Sequence, residues 1–106
     1  MAYTTIDDGS EYFHTQLYTG NGSDDRNITN DANAGDFKPD WLWIIQRSAD
    51  RGHIIVDSSR GATLRLRPDS VNAEDTKADH VQSFLTDGFQ VGTNNTTNVS
   101  SGTYVA

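Results

Sequence analysis

The run Phe37-Lys38-Pro39-Asp40-Trp41-Leu42-Trp43-Ile44-Ile45-Gln46-Arg47 decides the fold, because it is the densest apolar stretch in a polar sequence. Pro39 fixes φ and cannot donate a ladder hydrogen bond, so Pro39-Asp40 marks a turn or the start of a strand. The residues that follow are aromatic or branched, the types that suit a pleated surface. Read with a period of two, Trp41, Trp43 and Ile45 share one face, and Leu42, Ile44 and Gln46 share the other. Both faces are apolar as far as Gln46, which predicts a central strand covered on both sides, with Trp43 in the core. A buried helix is the competing reading. Pro39 before the run and Ser48 to Gly52 after it leave space for about two helical turns, which favours the strand.

Weaker, alternating segments surround this run. Tyr12 to Tyr18 places Phe13, Thr15 and Leu17 on one face and Tyr12, His14, Gln16 and Tyr18 on the other, a strand signal. Thr19 to Asp25 is a turn cluster rich in Gly, Asn and Asp. Arg26 to Thr29 is a short strand around Ile28. His53 to Asp57 forms a hairpin with the central run, and Ala62 to Arg67 alternates until Pro68. Val71 to His80 has no apolar stripe and reads as an exposed loop. Val81 to Leu85 and Phe89 to Val91 flank Thr86-Asp87-Gly88, where Asp-Gly between apolar runs signals a hairpin. Thr93 to Gly102 is a Thr/Asn/Ser loop before a last strand at Thr103 to Val105. Short strands bounded by turns, with no convincing helix, predict an all-β antiparallel sandwich or jelly roll. The expected core includes Phe13, Leu17, Trp43, Ile44, Ile55, Phe84 and Phe89.

The chain has 106 residues, enough for one domain at 12–106 preceded by an N-terminal arm or edge segment at 1–11. Its formal charge of −7, with no basic cluster, argues against nucleic acid and anionic membranes as partners. No cysteine is present, so disulfides and thiolate metal sites are excluded. No apolar run approaches the ~20 residues that span a bilayer. The first residues lack the basic and then apolar pattern of a signal peptide, so synthesis in a cytoplasm without signal cleavage is expected.

Residues able to carry chemistry are numerous but unpatterned. Asp7, Asp8, Asp24, Asp25, Asp31, Asp36 and Asp40 supply carboxylates in loops, yet their spacing matches no calcium loop. His14, His53 and His80 are not paired at metal-ligand spacing. Ser58 and Ser59 beside Asp57 lack a nucleophile elbow. We therefore assign no catalytic residue, no metal and no cofactor. The aromatic residues Tyr12, Tyr18, Trp41 and Tyr104 remain candidates for contact with a glycan or a protein partner, and packing is the alternative use of such side chains.

Several segments in order resemble a repeated module of structural proteins from tailed bacteriophages, common in marine and cyanobacterial phages. They are Tyr12 to Gly22, Pro39-Asp40-Trp41-Leu42-Trp43-Ile44, Arg47-Ser48, Asp57 to Ala62, Ser83 to Gly92 and Ser101 to Ala106. The resemblance implies a concanavalin-like or jelly-roll β-sandwich and a non-enzymatic virion protein, a tail-fibre or appendage part or a capsid-decorating subunit, located on the virion and made in the bacterial host. Its expected partners are other virion proteins and copies of itself, with a trimer favoured, and it could contribute to host attachment. A module binding host-surface polysaccharide is the alternative, and a polysaccharide depolymerase is a third class, needing two carboxylates in one cleft. Exposed Trp and Tyr on one sheet face would favour a glycan site. Similar sequences carry a basic residue where Ile45 stands here, and they continue beyond Tyr104-Val105-Ala106 with another strand. That predicts an unfilled place beside the last strand, completed by oligomerisation or by a virion partner.

Overall fold

In the computed structural model the described residues are 12–30 and 37–106. The expected arm at 1–11, with Asp7 and Asp8, and the loop residues Asp31 and Asp36 lie outside them. The described residues form β1 (Leu17–Thr19), β2 (Arg26–Thr29), β3 (Trp41–Gln46), β4 (Ile54–Asp57), β5 (Gly61–Leu66), β6 (Asp75–Thr76), β7 (Val81–Leu85), β8 (Gly88–Val91), a helical turn α1 (Asn95–Asn98) and β9 (Thr103–Val105). Among the described residues helix is confined to the four residues of α1, as the turn-bounded alternation predicts.

The strands build two antiparallel sheets packed as a β-sandwich. The larger sheet runs β1-β9-β3-β4-β5-β6 and the smaller runs β2-β8-β7. The two hairpins read from sequence are present: Trp41 pairs with Asp57 through to Ile44 with Ile54, and Leu85 pairs with Gly88. Gly88 is required by close approach. A Cβ there would lie 2.0 Å from the carbonyl oxygen of Ile28 on β2. β6 falls in the segment expected to be a loop. The Arg65 fork holds it to β5, with Nε and Nη2 donating to the two Asp75 carboxylate oxygens at 2.8 and 3.0 Å.

The core consists of Leu42 and Ile44 of β3, Ile54 and Val56 of β4, Tyr104 of β9, and Ile28, Val81, Phe89 and Val91 of the smaller sheet. Ile44 and Phe89 are buried as expected, while Ile55 and Phe84 are half-buried, Phe84 against the core. Four expected core residues lie outside it: Phe13 is 70% exposed, Leu17 62% and Trp43 40%, and Ile55 stands opposite Trp43 on the outer face. The alternation was read in the right phase, but only one face of the larger sheet meets the smaller one. Leu42, Ile44 and Gln46 turn inward, so Trp41 and Trp43 turn outward. On the first segment Gln16 is buried and Tyr18 packs against the core, which leaves Leu17 outside.

The last strand is not beside an open place. β9 lies between β1 and β3, and the backbone of Ala106 exchanges hydrogen bonds of 2.9 and 3.0 Å with Gln16. Tyr104, expected at a contact surface, is completely buried. Its ring stacks on the directly opposed Tyr18 at 5.0 Å, and Tyr18 meets Phe89 of the smaller sheet edge-on at 5.9 Å. Both hydroxyls donate at 2.7 Å into the segment around α1, Tyr18 to the Thr97 carbonyl and Tyr104 to that of Asn95. The Tyr104 hydroxyl also accepts from the Val99 amide at 2.8 Å. Burial pushes both phenols up, so they remain protonated donors.

The segment read as a polar loop therefore seals one end of the sandwich, and Asn98 is its hub. The fully buried Asn98 amide donates to Ser23 O at 2.8 Å and Gly92 O at 2.9 Å. Its Oδ1 accepts from the Asn21 amide at 3.0 Å and from Arg26 Nη1 at 3.1 Å. Both donors and both lone pairs are used. Asn98→Ala should cost about 3 kcal/mol or more, because each buried group left unpaired costs roughly 1–3 kcal/mol. Urea denaturation checks this, and a loss below about 1 kcal/mol would remove Asn98 from that role.

Candidate functional site

The outward face of β3 carries the candidate site. Trp41 is 51% exposed and sits edge-to-face with Trp43, ring centroids 6.2 Å apart and planes at 85°. Strand geometry explains the pairing, since alternate residues of one strand project from the same face. A crevice of about 720 Å³ opens here. Its walls include Tyr12, Phe13 and His14 from the segment before β1, and Phe37, Lys38, Pro39 and Asp40 from the segment before β3. Trp41, Trp43 and Ile45 line it from β3, and Val105 and Ala106 from the end of β9. Asn30 joins the two sides of the loop before β3, donating through Nδ2 to the Phe37 carbonyl at 3.1 Å. The volume falls in the range typical of small-molecule sites, which are mostly apolar with a few polar groups at the edge.

Around the crevice the same face carries an apolar residue on each of five strands, and register lines them up, with Asp57 opposite Trp41 as a charged neighbour. Leu17 opposes Val105, Val105 opposes Ile45, Trp43 opposes Ile55, and Ile55 opposes Leu66. Directly opposed residues stand on one face. Leu17, Trp41, Trp43 and Leu66 are all exposed large hydrophobic residues. Such contiguous patches mark interaction surfaces in soluble proteins. Of the contact residues expected from sequence, Tyr12 and Trp41 therefore meet at one crevice, Tyr18 supports the core beneath, and Tyr104 belongs to the core. Phe13 and Trp43 join the site from the list of expected core residues. The Phe37 to Asp40 segment, with Pro39 buried and Lys38 and Asp40 exposed, also joins the site, and Pro39 beside the adjacent aromatics was the available clue.

Of the polar candidates, His14 and Asp40 line the crevice, and Asp40 and Asp57 are each hydrogen-bonded. Ser58 donates its hydroxyl hydrogen to Asp40 Oδ1 at 2.8 Å. Asp57 accepts from the Arg60 amide and Nε at 2.8 and 2.7 Å, and these contacts hold its carboxyl below the usual carboxylate range. Among the described residues no group of three His, Asp or Glu side chains could hold a metal ion. No helix among them is long and apolar enough to cross a membrane.

The buried His80 is the centre of a separate network. It is 3% exposed, its Nδ1 lies 3.0 Å from Asp79 Oδ1, and its Nε2 lies 3.0 Å from Arg65 Nη1. Because Arg65 can only donate, Nε2 must accept and the proton sits on Nδ1, facing Asp79. Asp79 Oδ2 accepts from Asn94 at 3.0 Å, and this contact leads the causes that lower its pKa. The network ties β5 to the start of β7 and to the cap of α1.

Residues 8–106 match the family described as Domain of unknown function (DUF7483). The chain belongs to this family. The match takes in every described strand of the sandwich, together with the crevice and the turn that seals its end. No curated protein and no solved structure matches this DUF7483 domain.

Two outcomes follow from these positions. Trp41→Ala and Trp43→Ala should each cost under about 2 kcal/mol, whereas Ile44→Ala should cost about 2–5 kcal/mol as core truncations do. Thermal or urea melts rank the three, and a tryptophan variant as damaging as Ile44→Ala would contradict the outward placement. Burial, reinforced by Arg65, lowers the His80 pKa below its ordinary 6.5 despite Asp79. The folded state thus binds fewer protons than the unfolded one, and stability is lost as pH falls through 6.5 toward the folded value. The lowered carboxyls of Asp57, Asp75 and Asp79 act later, below their ordinary 3.8. NMR titration of His80 should give a midpoint below 6.5, and a midpoint above it would reverse the sign.

Proposed function

We propose that this domain is a non-enzymatic structural module of a bacteriophage particle, on an appendage or the capsid surface, whose aromatic crevice contributes to attachment to host-surface saccharide. The phage setting rests on the sequence resemblance that runs from Tyr12 to Ala106. The attachment role rests on one observation: Trp41 and Trp43 stand exposed on a single sheet face at a crevice edged by His14, Lys38 and Asp40. Indole rings offer broad apolar area with little conformational freedom to lose, and the polar edge supplies groups that fix a hydroxylated ligand.

A second reading, packing against another virion subunit, is favoured by the apolar stripe from Leu17 to Leu66. Both uses suit a particle component, and they separate experimentally. Glycan-array binding by the purified chain should be detectable, and Trp41→Ala should lower it at least tenfold. Leu66→Ala lies on the same face outside the crevice and should leave glycan binding unchanged. Antibody labelling should place the protein on intact virions. Absence of glycan binding together with concentration-dependent self-association in ultracentrifugation would replace the attachment role by the packing role. Absence from virions would remove the phage setting.

A further inference from the structure

We infer that the crevice takes a single ring of a neutral glycan, at a chain end or a side branch, and discriminates against both flat linear ribbons and polyanionic polymers. This inference rests on the saccharide reading above and names the class of ligand within it.

Ring geometry carries the first half. A flat ribbon of linked pyranose rings lies across aromatic faces that are roughly coplanar. Trp41 and Trp43 are the chain's two tryptophans, and they stand at 85° with centroids 6.2 Å apart. Their planes form a corner, so one sugar ring can lie on one indole face with its rim against the other, and no second ring can continue in the same plane. Trp43 is also flanked by the His53 ring at 6.0 Å and 47°, so a coplanar shelf is not extended in that direction either.

Charge carries the second half. Carboxylate- or sulfate-bearing polymers are held by guanidinium forks and lysines. Lys38 is the one lysine or arginine among the described lining residues, and Asp40 stands beside it in the same wall. The whole chain carries −7. Like charges then raise the cost of bringing a polyanion to the crevice, an effect that salt screens within about a Debye length.

Fluorescence of the two crevice tryptophans reads binding directly. The intact chain is titrated with three probe sets: methyl glycosides of common neutral hexoses and N-acetylhexosamines, their linear oligomers of two to six units, and oligomeric uronates of the same lengths. The expected result is saturation by at least one neutral set, with affinity rising less than threefold from two to six units. Uronates should bind at least tenfold more weakly at low salt, with the gap narrowing at high salt. A tenfold or greater gain with length would overturn the single-ring geometry, and uronates binding as tightly as neutral sugars would overturn the charge selection. In either case saccharide binding itself would stand. No response to any probe, in protein whose melting transition is intact, would instead overturn the saccharide reading and this inference with it.

Discussion

Tyr18 and Tyr104 lie stacked on adjacent strands, and their hydroxyls reach past the core to the backbone at 95–99. Much of the structure depends on this arrangement. It places two large aromatic bodies between the sheets while giving each phenol a partner, which an apolar interior demands. It also fixes β1 beside β9 and β9 beside β3, so the larger sheet gains two strands beyond the β3–β4–β5 meander. The turn it anchors brings Asn98 between the ends of both sheets. There Asn98 supplies the polar partners that the 20–23 loop and Gly92 would otherwise lack. Gly20 belongs to the same junction, because a Cβ there would lie 2.1 Å from the Val99 carbonyl oxygen.

Closing the sandwich in this way has a consequence for the surface. A smaller sheet of three strands covers a larger sheet of six, and only on its inner side. The inner alternation of β3 and β4 goes to the core, and on β3 the outer alternation, Trp41, Trp43 and Ile45, is also apolar yet stays exposed or half-buried. An apolar outer face gives no stability to an isolated domain and raises the risk of association. It is the feature on which the proposed attachment role rests, with the corner of two indoles at its crevice.

Much of the sandwich was legible in sequence because strand periodicity and turn residues are local signals. Asp87-Gly88 marked the β7–β8 connection, and the apolar runs at 41–46 and 54–57 marked the β3–β4 hairpin. What periodicity could not give was the side on which the second sheet lies. On β3 both alternations are apolar, so Trp43 was expected inside and is outside; Tyr104 on β9 was expected at a contact surface and is completely buried. Likewise Thr93 to Gly102 has the composition of a solvated loop. Its burial comes from long-range partners, Tyr18 across the sheet and Ser23 in a distant loop, which no local pattern encodes. The candidate site was half legible: Tyr12 and Trp41 were named, while Trp43 and Phe13 were hidden by the same assumption of two-sided burial.

Native-state hydrogen exchange tests the central role of the sealed end most directly. The amides of Gly22, Asn98 and Val99 donate to Asn98 O, Asn94 O and the Tyr104 hydroxyl. If the tyrosine-anchored turn is part of the cooperative core, these amides exchange only through global unfolding, with the same opening free energy as the amides of β3 and β4. In Tyr104→Phe, which leaves the Val99 amide without its acceptor, protection at Val99 should fall by at least tenfold. Exchange of these amides at the rate of exposed loops in the parent chain would contradict the account and return residues 93–102 to the surface loop that their composition suggests.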